Sequence, residues 1–141
     1  MLPLRYARHW RGASVALLLL VLAATLMPVV WLWPDRVQLV SWFRNLDKWA
    51  HLATFALPAV WFAGQYRPRS YWRIALGLFA FGVLIEACQR MVGYRSADPM
   101  DIGANTLGIA SGLAIALAGV GGWCLPFEAW YAGRRAGAEI D

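Results

Sequence analysis

Polar residues in this chain fall almost entirely between four long apolar runs, covering residues 13–33, 49–66, 72–92 and 101–123. An α-helix rises about 1.5 Å per residue, so about 20 apolar residues cross the roughly 30 Å hydrocarbon core of a bilayer. Each run reaches or approaches that length. The pattern predicts an all-α fold, a polytopic membrane protein with four transmembrane helices in a compact bundle. Residues 1–12 form a basic N-terminus, residues 13–123 the membrane domain and residues 124–141 a short tail. The pieces between runs are too short for a soluble domain. Residues 34–46 include Val37, Leu39, Val40, Trp42 and Phe43 and read as an amphipathic segment on the outer surface.

Arg5, Arg8 and Arg11 precede the first run as they would in a secretory leader. Secretory apolar regions, however, span about 7 to 15 residues and end at small side chains. This run ends in Trp31, Trp33 and Pro34 and reads as a retained span. Trp31, Trp33, Trp49, Trp72 and Trp123 all fall at run ends, the expected place for an interfacial aromatic belt. Pro28 and Pro58 lie within runs and free carbonyls one turn earlier, which bends helices.

Composition sharpens this picture. Hydrophobic residues make up 60% of the chain and charged residues 15%, against about 25% charged in soluble domains. The net charge of +5 would suit a phosphate-binding surface if it were clustered, but the basic residues are scattered between apolar runs. Nucleic acid is therefore not an expected partner. Eight of the 13 Lys and Arg lie on the N-terminal side of the bilayer (Arg5, Arg8, Arg11, Arg67, Arg69, Arg73, Arg134, Arg135) and five on the other. The positive-inside rule then places both termini in the cytoplasm. Cys88 and Cys124 are too few for a disulfide framework and lie near opposite membrane faces.

The remaining polar residues converge. Asp47, Lys48 and His51 open the second run, with His51 on one helix face with both charges. Glu86 and Gln89 lie near the end of the third run at the same i,i+3 spacing. Arg95 is in the following loop, and Asp101 and Asn105 open the fourth run at i,i+4. Alternating helices bring all three sets to the membrane face opposite the N-terminus. Glu86 lies roughly 9 Å inside its run, where a carboxylate costs a few kcal/mol or more unless it is paired, protonated or hydrated. Taken singly, each residue also has a structural reading. Glu86 can fix helix register through an ion pair, Asp98-Pro99 and Asp101 resemble a capped helix start, and Lys48 can snorkel. Cys88 is rotated about 200° from Glu86 and reads as packing. Gly108 and Gly112 have the small-x-x-x-small spacing for close helix contact and share a stripe with Asn105, so they are expected to pack within the chain.

The block Asp47-Lys48-x-x-His51, followed by Glu86, Gln89, Arg95, Asp101, Asn105, Gly108 and Gly112, resembles the VanZ-like family of small bacterial membrane proteins. The resemblance spans about residues 45–120. It implies residence in the bacterial cytoplasmic (inner) membrane. The family's founding member is associated with teicoplanin resistance, which suggests an envelope role rather than any particular reaction. The matched positions, Asp47, Lys48, His51, Glu86, Gln89, Arg95, Asp101 and Asn105, form the expected ligand-binding set.

Two kinds of function fit those residues. The first is an extracytoplasmic pocket for a polar or anionic envelope molecule, such as a membrane lipid headgroup or a lipid-linked envelope precursor. Lys48 and Arg95 would meet its charge, while Gln89, Asp101 and Asn105 would fix its hydrogen bonds. The second is an intramembrane enzyme with Glu86 or His51 as general base and Arg95 stabilising an anion. The sequence leaves open whether the protein is an enzyme. No nucleophile arrangement, phosphate-binding loop or paired-histidine metal motif is present. A single histidine with oxygen ligands is a poor zinc set, so no metal or cofactor is expected.

Overall fold

A computed structural model describes residues 1–26, 40–91 and 99–138, with side chains described for residues 1–26, 48–91 and 100–134. Five α-helices account for most of it: α1 (Ala7–Leu26), α2 (Val40–Gln65), α3 (Tyr71–Met91), α4 (Pro99–Ile115) and α5 (Cys124–Ala138). No strand occurs among the described residues. Three helical stretches, Ala7–Leu26, Pro68–Met91 and Met100–Val120, are long and apolar enough to cross a membrane. The remaining expected span, residues 49–66, corresponds to α2, whose polar and charged residues lower its apolarity.

Helix boundaries differ from the expected runs at several places. The first helix starts at Ala7, six residues before the apolar run, so Arg8 and Arg11 ride on its first turns rather than on an extended leader. Arg and His are compatible with a helix interior, and apolar periodicity alone does not register them. Its expected end at Trp33, together with Pro28 and Trp31, lies outside the described residues. The second helix begins at Val40, so the end of the 34–46 segment is continuous with α2 instead of forming a separate surface piece. α4 begins at Pro99, where a fixed φ and a missing N–H suit the first helical position; Asp98 lies outside the described residues. Near the end of the fourth run, a π-helical turn spans Ala116–Val120, and Gly119 adopts φ 128° within it. Only glycine adopts that backbone geometry without strain, so the helix breaks there and the chain turns into α5.

The helices alternate in direction. Leu2 N donates to Gln65 O (2.8 Å) and Tyr71 Oη to Ala63 O (3.2 Å), which places the start of α1, the end of α2 and the start of α3 at one end. At the other end Gln89 Nε2 donates to Thr25 O (3.0 Å). α2 and α4 run parallel and form the closest helix pair. A Cβ on Gly108 would collide with the Leu52 carbonyl, and one on Gly112 would stand 2.5 Å from Ala56 O and 2.7 Å from Ala59 Cβ. Both glycines therefore bring backbone against backbone, as the small-residue spacing implied. Phe55, Ala59, Ala63, Ile74, Leu78, Ile85 and Ile109 fill the core between α2, α3 and α4.

Candidate functional site

The α2–α4 contact carries its polar residues at one end, where both helices begin. The register that seats Gly108 on Leu52 also sets Asn105 and Asp101, one and two turns earlier in α4, beside His51 of α2. His51 Nδ1 lies 3.1 Å from Asn105 Oδ1, and Nε2 lies 3.6 Å from Asp101 Oδ2. The first distance is a hydrogen bond; the second is an ion-pair spacing beyond hydrogen-bond length. In the tautomer that carries its proton on Nδ1, the ring donates to Asn105 Oδ1.

α3 completes the group. A Cβ on Gly82 would stand 3.2 Å from Phe55 Cζ and 3.4 Å from Asn105 Nδ2, so this stripe of α3 faces both α2 and α4. Glu86 is one turn further along the same stripe, and Gln89 three residues beyond it. His51, Glu86, Gln89, Asp101 and Asn105 are each 5% exposed or less. Five polar side chains are thus withdrawn from water together, a costly arrangement unless they satisfy one another.

The expected site residues divide into three groups. His51, Asp101 and Asn105 meet directly, with Glu86 on the helix face turned toward them. Gln89 is buried, and its amide donates to the Thr25 carbonyl of α1. Lys48 stands at the rim, its Nζ 3.1 Å from Met100 Sδ in an exposed contact. The Asp47 side chain and Arg95 lie outside the described residues. Polarity therefore grades along one seam, from Lys48 and Met100 at the surface, through His51 and Asp101, to Asn105 above the Gly82–Phe55 contact.

These contacts span α2, α3 and α4, which are the segments that carry the motif. The VanZ/LLP1 family model matches residues 6–120. The chain belongs to the VanZ/LLP1 family. No curated protein and no solved structure matches it. Family membership and the apolar helices together identify an integral membrane protein.

A second polar centre, not singled out in the sequence, lies at the opposite end of this VanZ-family chain. The buried Glu128 carboxylate of α5 accepts from Arg5 N (2.7 Å), Tyr6 N (2.9 Å) and Trp10 Nε1 (2.8 Å). Two of these donors are backbone N–H groups in the turn leading into α1, so Glu128 caps the entry to that helix from 122 and 123 residues away in sequence. Burial pushes the Glu128 carboxyl up, but the hydrogen bonds from Tyr6, Arg5 and Trp10 and the Arg5 charge outweigh it and hold the group below its ordinary value. Nearby, Ser14 Oγ donates to Trp10 O (2.8 Å) and accepts from Trp61 Nε1 (2.9 Å) and Gln65 Nε2 (3.0 Å).

Trp123 belongs to this centre as well as to the expected belt. It contacts Trp10 and Trp61, with ring centroids 5.4 and 5.6 Å apart, and donates from Nε1 to Val60 O. Trp49 and Trp72 remain mostly exposed, as belt residues should. Residues 124–138, expected as a tail, form a helix whose Cys124 is fully buried. The usable signals were Pro126 in a first turn and Phe127, Trp130, Tyr131 and Arg134 at helical spacing. Two clefts, of about 360 and 400 Å³, also lie toward this end, one between α1 and α5 and the other among α1, α2 and α3.

Proposed function

We propose that this VanZ-family protein crosses the bacterial inner membrane four times, with both termini cytoplasmic, and binds a polar or anionic envelope molecule at its outer face. Lys48 forms the mouth of the binding site, His51, Glu86, Gln89, Asp101 and Asn105 form its buried floor, and Asp47 and Arg95 join the ligand-binding set on the strength of the motif. The observation that carries this reading is the graded seam from the exposed Lys48 ammonium to the buried His51–Asp101–Asn105 group. A cation over a preorganised polar floor suits a phosphate or carboxylate headgroup.

Binding is favoured over His51-based catalysis. Both ring nitrogens already face internal partners, and a general base needs one within reach of the proton it removes. Glu86 remains the base in the alternative, enzymatic reading. Arg69→Cys tests the topology: labelling by an impermeant maleimide from outside intact cells overturns it.

Ligand binding is tested by mass spectrometry of lipids co-purified with wild type, Lys48→Ala and Arg95→Ala. Loss of one headgroup class from both variants is expected, and identical lipid profiles overturn the reading. Glu86→Gln separates the two classes: ligand retained with turnover lost favours the enzyme, and ligand lost favours the binding site.

A further inference from the structure

The cleft of about 400 Å³ among α1, α2 and α3 belongs to neither polar centre, and its chemistry changes along its length. One end is polar: Tyr66 follows α2, Ser70 ends the Pro68–Ser70 turn and Arg73 sits in the first turn of α3. Beyond them the lining is apolar and follows α3 through Ile74, Gly77, Leu78 and Phe81, with Leu18 and Phe62 contributed by α1 and α2. From Ser70 to Phe81 the helix advances roughly 16 Å, about half of a hydrocarbon core roughly 30 Å thick. The groove therefore has the length of one leaflet, with its polar end at the headgroup level.

Two further features indicate what fills it. Arg73 is exposed, and among the described residues no carboxylate pairs with it. Its guanidinium lies 5.3 Å from the Trp72 ring centroid. Gly77 leaves a gap in the lining, since a Cβ there would meet nothing within 4 Å. An unpaired guanidinium at the interface matches a phosphate, and an apolar channel of leaflet length below it matches an acyl chain.

We propose that this groove is a binding site for one anionic glycerophospholipid of the leaflet on the N-terminal side. The phosphate sits at Arg73, Ser70 and Tyr66, and one acyl chain passes over Gly77 toward Phe81. This site is separate from the Lys48 seam, which lies at the other end of α3 and in the opposite leaflet.

The test is native mass spectrometry of the full chain released from detergent micelles after titration with phosphatidylglycerol. Wild type is expected to retain one phosphatidylglycerol that resists activation. Gly77→Leu, which fills the channel from a position with open space, should reduce that adduct at least tenfold. Arg73→Gln should reduce it several-fold and abolish preference over phosphatidylcholine. Glycerol phosphate, which has the headgroup chemistry without chains, should not bind; if it binds as well as the lipid, the site is one for free phosphate and the proposal fails. Equal adducts in wild type and Gly77→Leu overturn it too.

Photoreactive phosphatidylglycerol gives a readout on the wild-type chain that needs no variant. Crosslinks on residues 74–81 are expected, and crosslinks confined to other segments refute the groove. Lys48→Ala should leave this adduct intact, so failure of the outer site and failure of the groove are read separately.

Discussion

His51 Nδ1 and Asn105 Oδ1 stand 3.1 Å apart, joining α2 to α4 between two buried side chains. Removing one partner leaves the other without its hydrogen bond, at a cost of about 1–3 kcal/mol. Asn105→Leu and His51→Leu should each lower the stability of the detergent-solubilised protein by that order. The double variant should lose at least about 0.5 kcal/mol less than the two single losses combined. Denaturant unfolding of all four proteins checks this, and strict additivity would show that the contact contributes nothing.

The two α4 glycines should respond very differently from a third. At Gly108 and Gly112 an added methyl meets α2 backbone, which cannot move aside as a side chain tip can. Alanine at either position should separate α2 from α4 and sharply reduce folded yield. Gly103 faces open space, so Gly103→Ala should be neutral or stabilise by up to about 1 kcal/mol through helix propensity. Size-exclusion yield and melting temperature of the three variants decide the matter.

Glu128 should make stability depend on acidity. Its folded carboxyl is held below the ordinary 4.5 by the Tyr6, Arg5 and Trp10 donors. The stabilisation is therefore complete above about pH 4.5 and is lost as pH falls through the lower folded value. Glu128→Gln should melt below wild type at pH 7, and the gap should narrow on acidification. A gap that stays constant down to pH 3 would contradict the capping role.

Cys124 should be inert. Burial, with the Glu128 charge adding to it, pushes its thiol up to about 12, and thiol reactivity requires the thiolate. In a Cys88→Ala background, a water-soluble maleimide at pH 8 should label the native protein far more slowly than the denatured protein. Equal rates would place Cys124 at the surface.

The membrane class, the all-α fold and the convergence of His51, Asp101 and Asn105 could be read from the sequence because they depend on local spacing. Apolar runs of bilayer length, i,i+4 polar pairs and the Gly108–Gly112 step each act within one helix. The Glu128 centre was not legible because two of its three partners are main-chain N–H groups at the far end of the chain, and backbone donors leave no mark on a sequence. Trp123 looked like a belt residue because its position at a run end is shared by residues that face lipid and residues that pack on Trp10 and Trp61. The role of Gln89 also depended on a distant carbonyl, that of Thr25, which no spacing rule points to.

The backbone contact between α2 and α4 restricts how this family member can vary over time. A single residue inserted between Leu52 and Ala56, or between Asn105 and Gly112, would rotate everything beyond it by about 100°. It would take either the glycines or the polar pair out of register. Substitutions can accumulate in these stretches one at a time, but a change in residue number cannot be absorbed there. Among the described residues, the connection around residues 66–70 can change length more readily, whereas beyond Val120 the count is fixed again, because Trp123 must reach Trp10 and Trp61 and Glu128 must reach the start of α1.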